Sequence, residues 1–269
     1  LIKKFHNQFY PKTTCDTELL FWMLNNFSYK EVVSNFIDSM HAFAFYNKRK
    51  KEIILSRDHA GIKPLYFSLG SGGLIFSSEI KALTEFVYNS KKLNRTAFML
   101  TSFLGTNPLR DTLFSGIYKL LPGETIVYDI QSKKINETFK DIVTPLSKNK
   151  FDENEFISLT KKIIKNSTLG IRQFGIFLSG GLDSTLISYE LKNYVKNMGS
   201  FTNYMSPNII TREEDYNSDA KIAKKLSDEL SFDHHEIKIT PEIIADQFDA
   251  SIRSIEEPTY NWNQAMYFY

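Results

Sequence analysis

Thiols are nearly absent from this chain: Cys15 is the single cysteine in 269 residues. That excludes an internal disulfide framework and argues against a cysteine-based zinc site. It suits a reducing compartment, so a cytoplasmic location is the expectation. An excess of one charge is also lacking. Lys and Arg total 33 against 31 Asp and Glu, a net charge of +2. The balance gives no sign of a nucleic-acid-binding face, although a local patch can sit inside a neutral total. No apolar run approaches the roughly 20 residues that span a bilayer. No charged-then-apolar leader opens the chain, so no signal peptide is expected. Repeats and low-complexity tracts are missing. An initiating Met is missing too: the chain starts at Leu1 and stops at Tyr269 within the aromatic run Met266-Tyr267-Phe268-Tyr269. This reads as a piece cut at both ends.

What is present is material for packed cores, with 42% hydrophobic, 14% aromatic and 24% charged residues. Two periodicities divide it. Residues 16–27 predict a helix capped by Asp16 or Thr17, with Leu20, Leu24 and Phe27 at helical spacing. Between 40 and 79, short aromatic and β-branched runs alternate with turn signals, which predicts an antiparallel meander. A helix near 95–104 and a hairpin turning at Gln131 to Lys134 follow. A linker signal lies at 140–152, around Pro145 and Ser147-Lys148-Asn149-Lys150. Beyond it, strand and helix alternate: strands at 175–178, 201–205 and 236–239, helices from Phe156 to Ile164 and over 183–196, 218–230 and 242–255. That order predicts a parallel sheet with helices on its faces. The expected domains are 1–142 (α+β, antiparallel) and 153–269 (α/β, parallel), joined by 143–152.

The sharpest local signal is Ser179-Gly180-Gly181-Leu182-Asp183-Ser184, between the apolar strand Ile176-Phe177-Leu178 and a helix. Two glycines let backbone approach a ligand closely. The helix start offers free N–H groups and its positive dipole end, and two serines add hydroxyls. Together these make a phosphate cradle. Asp183 repels phosphate, so it belongs beside Mg²⁺ or serves as a helix cap. The string lacks the lysine of a Walker-type loop, which disfavours a kinase or GTPase.

This string resembles the pyrophosphate loop of ATP pyrophosphatase enzymes. Other segments narrow the resemblance to the glutamine-dependent asparagine synthetases. They are Arg57-Asp58-His59-Ala60-Gly61-Ile62-Lys63-Pro64-Leu65-Tyr66, Phe76-Ser77-Ser78-Glu79-Ile80-Lys81-Ala82-Leu83, Met40-His41-Ala42-Phe43-Ala44-Phe45, Leu120-Leu121-Pro122-Gly123, His234-His235-Glu236 and Glu257-Pro258. The likeness runs in order from about residue 13 to the end. It implies a glutaminase domain of the N-terminal nucleophile type followed by a synthetase domain. Glutamine, aspartate and ATP with Mg²⁺ are then the small-molecule partners, with no nucleic acid and no membrane, and a homodimer is compatible with it. β-Aspartyl-AMP is the implied intermediate. Asparagine, AMP and pyrophosphate are the implied products.

By this resemblance Asp16 binds the α-amino group of glutamine. Leu178, Ser179, Gly180, Gly181, Leu182, Asp183 and Ser184 form the ATP and pyrophosphate site, with Asp183 toward Mg²⁺. Asn203 falls where the family places an apolar residue against adenine, and is a departure. The family nucleophile is the first cysteine of the mature chain. Cys15 is internal and reads as a small half-buried residue, so no catalytic residue is assigned, and the 269-residue chain alone is expected to be inactive as a glutaminase. Arg57, Asp58, Lys63 and Glu79 read as structural braces. His234 and His235 lie on one strand and point to opposite faces, which disfavours a shared metal. The run Lys48 to Lys51 reads as a solvated turn, and Tyr260, Trp262 and Tyr267 read as core. Two alternatives stay open: a relative that amidates another carboxylate, such as a sugar or β-lactam precursor, or a non-catalytic remnant.

Overall fold

The computed structural model describes residues 7–37, 39–87, 91–141, 151–170, 173–206 and 217–257. The chain divides into two compact units, Leu1–Pro145 with Ile255–Tyr260, and Leu146–Ser254 with Asn261–Tyr269. The expected roles of Tyr260, Trp262 and Tyr267 lie outside the described residues.

The first unit opens with α1 (Asp16–Asn26), followed by a short turn, α2 (Tyr29–Glu31), that runs on into one wider helical turn, Val32–Phe36. Strands β1 (Ala42–Asn47), β2 (Glu52–Arg57), β6 (Glu124–Asp129) and β7 (Lys134–Lys140) form a four-stranded antiparallel sheet in the order β1-β2-β6-β7. A second sheet takes β4 (Gly73–Ser77), β3 (Tyr66–Gly70) and β5 (Tyr118–Lys119) in that order. The expected meander is therefore corrected. Strands β2 and β3 do not pair, because the braced loop between them carries the chain from one sheet to the other.

Alternation along β2 and β6 explains the layering. Ile54 and Val127 face α1 and pack with Leu19, Met23, Leu24 and Phe45. Their neighbours Leu55 and Ile126 point the other way and pack with Leu65, Phe67 and Leu120 from the second sheet. Both faces of the central strands are thus buried, and the one hydroxyl pair among them, Ser56 and Thr125, is satisfied internally at 2.8 Å. Helices α3 (Lys81–Thr84) and α4 (Arg95–Leu104) follow the second sheet's hairpin. α4 starts on Asn94, whose side chain accepts from Ala97 N–H, and ends on Gly105 in the left-handed conformation.

Two distant motifs become one structure here. The Arg57 guanidinium donates to the carbonyls of Lys63, Leu120 and Gly61. The Asp58 carboxylate accepts from the N–H groups of Ile62 and Lys63. Burial pushes Asp58 up, but those two donations outweigh it and hold the acid below its ordinary range. The Asp58 carbonyl accepts from Gly123 N–H at 2.9 Å, tying in the Leu120–Gly123 turn. Arg57 and Asp58 are braces, as the sequence suggests. Lys63 contributes only main-chain groups to this brace, and Glu79 makes an exposed pair with Lys81. Arg57→Ala is expected to lower stability by about 2–3 kcal/mol, because three carbonyls lose a charged donor. Arg57→Lys should not restore it, since an ammonium cannot reach three fixed acceptors. Urea unfolding measures both.

Residues 255–257 belong to the first unit. The Glu256 carboxylate accepts from Ile80 and Lys81 N–H at 2.6 and 2.7 Å, capping α3, and Glu257 lies 3.9 Å from the Lys119 ammonium.

In the second unit β8 (Gly175–Phe177), β9 (Gly199–Met205) and β10 (Asp233–Ile239) form a parallel sheet in the order β10-β9-β8. Helices α5 (Glu153–Ser167), α6 (Leu182–Leu191), α7 (Ser218–Leu230) and α8 (Pro241–Ile255) connect or flank these strands. α5 is capped by Asp152, which accepts from Asn154 and Glu155 N–H. Leu178 packs with Ala223, Leu226 and Leu230 of α7. Ile164, Leu191 and Met198 make a second cluster. Antiparallel sheets followed by a parallel sheet is the expected class sequence. One detail differs from what an apolar strand suggests: Phe177 is 68% exposed, because among the described residues β8 is an edge strand whose alternate residues face opposite sides.

Candidate functional site

The loop after β8 follows from its residues. Leu178 N–H donates to the Phe201 carbonyl at 2.9 Å, and the Leu178 carbonyl accepts from the Thr202 hydroxyl. The strand therefore ends rigidly before Ser179. Gly180 then turns with φ +70°, and a Cβ there would meet the Ile222 side chain at 2.8 Å and the Asp219 carbonyl at 3.0 Å. Only glycine takes that conformation under α7 without strain. Gly181 is the residue before α6, at φ −72°, and supplies no side-chain cap. Ser179 Oγ lies 3.1 Å from Ser184 Oγ and accepts weakly from Gly181 N–H at 3.4 Å, and Ser184 Oγ donates to the Gly181 carbonyl. The first turn of α6 is thus left without a cap from its N-terminal residue, and two hydroxyls flank it. Asp183 sits inside that first turn and is exposed. Its expected alternative as the helix cap is corrected, since the cap position is Gly181.

Leu182 is 82% exposed, whereas Leu178 is buried, so the two leucines of the candidate site differ in what they can do. Leu178 anchors the loop, and Leu182 presents its chain to the surface. Asn203 lies on β9, two residues past Phe201, toward the carboxyl end of the sheet where the loop also emerges. Ligands of parallel sheets collect at that end.

One supporting residue was not legible. Asn217 is fully buried, and its amide makes a two-way bond with Met205, accepting from its N–H at 2.9 Å and donating to its carbonyl at 3.0 Å. It fixes the end of β9 against the start of α7. A lone Asn before a helix reads as a cap, and nothing in its spacing announces a partner twelve residues back.

Ser200, Ser227 and His234 form a buried hydroxyl-imidazole chain, with Ser200 Oγ 2.8 Å from Ser227 Oγ and 2.9 Å from His234 Nδ1. His235 stacks on Phe201 at 5.1 Å and is exposed. The two imidazoles face opposite sides, as expected. Among the described residues no group of three or more His, Cys, Asp or Glu is placed to hold a metal.

In the first unit a cavity of about 660 Å³ is lined by Asp16, Thr17, Ser39, His41, Lys63 and Ser78 beside apolar Leu20, Met23 and Phe43. Asp16 is the first residue of α1, and no side chain caps that helix from its flanking residue Cys15. The expectation that Asp16 or Thr17 caps the helix is therefore corrected. Glu18 organises the entry instead, accepting from Lys12 and Thr13 N–H and from the Thr13 hydroxyl. That leaves the Asp16 carboxylate exposed at the cavity. Cys15 is exposed as well, not half-buried, because the loop that holds it runs over the surface.

His41 lines the same cavity. Its Nδ1 lies 3.3 Å from the Ser39 carbonyl, and its Nε2 is buried without a partner. Burial lowers the pKa of His41, against the raising effects of Ser39 and Asp58. Burial also lowers that of His234, aided by Lys224 and His235 and opposed by Glu236 and Asp228. A depressed folded pKa means the native state binds fewer protons than the unfolded chain. The stability these two imidazoles contribute is complete above about pH 6.5 and declines as pH falls below it. Urea midpoints should therefore drop between about pH 7 and 5, and His234→Gln should flatten that slope.

Comparison with known proteins adds three facts. Residues 2–139 match the model of the glutamine amidotransferase domain family, and 155–269 that of asparagine synthase. A putative glutamine-hydrolyzing asparagine synthetase of Methanocaldococcus jannaschii is 30% identical over 68% of this chain and 36% of its own length. The glutamine-hydrolyzing asparagine synthetase 3 of Bacillus subtilis is 21% identical over 89% and 40%, and the amidase chyE of Penicillium rubens 24% over 87% and 37%. The chain thus spans well under half the length of these relatives.

Proposed function

The chain belongs to the family of glutamine-hydrolysing asparagine synthetases, and from that premise we propose that the whole protein makes asparagine from aspartate, glutamine and ATP. The observation that carries this reading is the Ser179–Ser184 loop. Its Gly180 turn, absent Cβ atoms, two hydroxyls and uncapped α6 start suit a phosphate-bearing anion such as pyrophosphate.

The chemistry follows from the leaving group. A carboxylate oxygen cannot be displaced by ammonia, whereas AMP can. The aspartate side-chain carboxylate attacks the α-phosphorus of ATP, the bond to pyrophosphate breaks, and β-aspartyl-AMP forms. Backbone N–H groups of the loop and the α6 dipole stabilise negative charge on the departing pyrophosphate. Asp183, exposed in the first turn of α6, is the carboxylate that would hold a Mg²⁺ ion, which would supply further neutralisation of that charge. Ammonia then attacks the acyl carbon and AMP leaves. Leu178 holds the loop in place, and Asn203 contacts adenine through its main chain. In the first unit, Asp16 receives the α-ammonium group of glutamine, whose amide supplies the ammonia. The expected setting is the cytoplasm, with no helix of the described residues long and apolar enough to cross a membrane.

A second reading is favoured by one observation, the amidase among the relatives: amidation of a carboxylate other than aspartate by the same two units. Product analysis of the full-length protein decides. Asparagine, AMP and pyrophosphate in equal amounts support the first reading, and AMP formed only with another acid supports the second.

A further inference from the structure

We propose that the neighbouring β1–β2 and β6–β7 turns form a cationic tip that docks on an anionic lipid surface. Lys48, Arg49, Lys50, Lys51, Lys133 and Lys134 are all exposed there. The two turns are adjacent: Glu52 is in register with Asp129, and Ile130 N–H donates to the Lys51 carbonyl at 3.0 Å. Six cations of a chain whose net charge is +2 are therefore gathered at one end of one sheet. Charges gathered on adjacent turns act together where they lie within the roughly 10 Å screening length of a dilute salt solution.

The backbone gives an independent reason to read this as retained charge. Each turn is built by a residue at the end of its strand. Asn47 Oδ1 accepts from Arg49 and Lys50 N–H, and Asp129 Oδ1 accepts from Ser132 N–H. The cations are not needed for those bonds. Yet each turn contains a lysine in the left-handed region, Lys51 at φ 56° and Lys133 at φ 54°. Glycine or asparagine takes that conformation more easily. Backbone strain kept at an exposed position points to a role outside the fold.

The cations outnumber the acids beside them: Glu52 and Asp129 sit at the base, Asp129 in register with Lys134, and Glu137, which also feels Lys50, is paired with Lys30. Lys133 donates to the Ser71 carbonyl, a neutral partner. The chemistry favours lipid over nucleic acid. Five of the six cations are lysines, point charges without the planar fork that grips phosphate from two sides. Neither turn contains an aromatic residue for base stacking. The near-neutral total concealed this patch, and the proposal departs from the expectation of no membrane partner.

Sedimentation of the full-length protein with vesicles tests it. The chain should bind vesicles of phosphatidylcholine and phosphatidylserine in equal parts, and not phosphatidylcholine alone. Each cation removed should weaken partitioning roughly fivefold. Lys48→Gln, Arg49→Gln and Lys50→Gln together should then weaken it about a hundredfold. Lys51→Gly with Lys133→Gly should weaken it about twenty-five-fold while the urea midpoint stays level or rises, so lost binding cannot be blamed on lost folding. Equal binding to both vesicles, indifference to these variants, or binding to duplex DNA without binding to vesicles would overturn the proposal.

Discussion

Gly180→Ala should destabilise the second unit by about 2–5 kcal/mol and weaken ATP binding at least about a hundredfold. Two terms add. The left-handed backbone at φ +70° costs a non-glycine residue roughly 1–2 kcal/mol. The new methyl would also stand 2.8 Å from Ile222 and 3.0 Å from the Asp219 carbonyl, so α7 or the loop must move. Overpacking of this kind costs about 1–3 kcal/mol. If the loop moves, the α6 amides no longer converge on one point, and binding suffers more than folding does. Gly181→Ala is the control. Its φ is negative, and its Cβ would meet only the Ser179 hydroxyl at 3.3 Å, a side chain that can give. Its cost to stability should stay below about 1 kcal/mol. Urea unfolding and calorimetric titration with ATP measure both variants, and similar stability losses for the two would remove the geometric argument.

Asp16→Asn should lower glutamine affinity about ten- to a hundredfold and leave the fold nearly untouched. A hydrogen bond to a charged group contributes about 1.5–3 kcal/mol, and the amide retains the shape without the charge. The fold is indifferent because Glu18, not Asp16, organises the start of α1. At most the helix loses a favourable dipole interaction of about 0.3–1 kcal/mol. Synthesis driven by added ammonium should be unchanged in the full-length variant, whereas the KM for glutamine rises. A variant impaired equally with both nitrogen sources would show that Asp16 serves folding and not glutamine.

These two sites differ in how far the sequence disclosed them. The Ser179–Ser184 string was legible because its chemistry is local: strand, two glycines and helix start are contiguous, and the structure keeps them so. The alternating strands and helices after residue 152 were legible for the same reason. The sheet pairing of the first unit was not. Whether β3 joins β2 depends on where the loop at 58–65 sends the chain, and that is set by Arg57 and Asp58 reaching Leu120 and Gly123, some sixty residues away. Capping misled in both units. Asp16, Thr17 and Asp183 have the right chemistry for caps, but Cys15 and Gly181 occupy the positions. Asn217 and the cationic tip needed tertiary proximity, Asn217 to Met205 and one turn to another, which no short window of sequence contains.

On the proposed function, ATP activates aspartate at the Ser179–Ser184 loop. Exchange of labelled pyrophosphate into ATP by the full-length protein tests it most directly. Exchange that requires aspartate and is lost in Ser179→Ala and Asp183→Asn is the predicted result. Exchange without aspartate, or exchange untouched by either substitution, would contradict it.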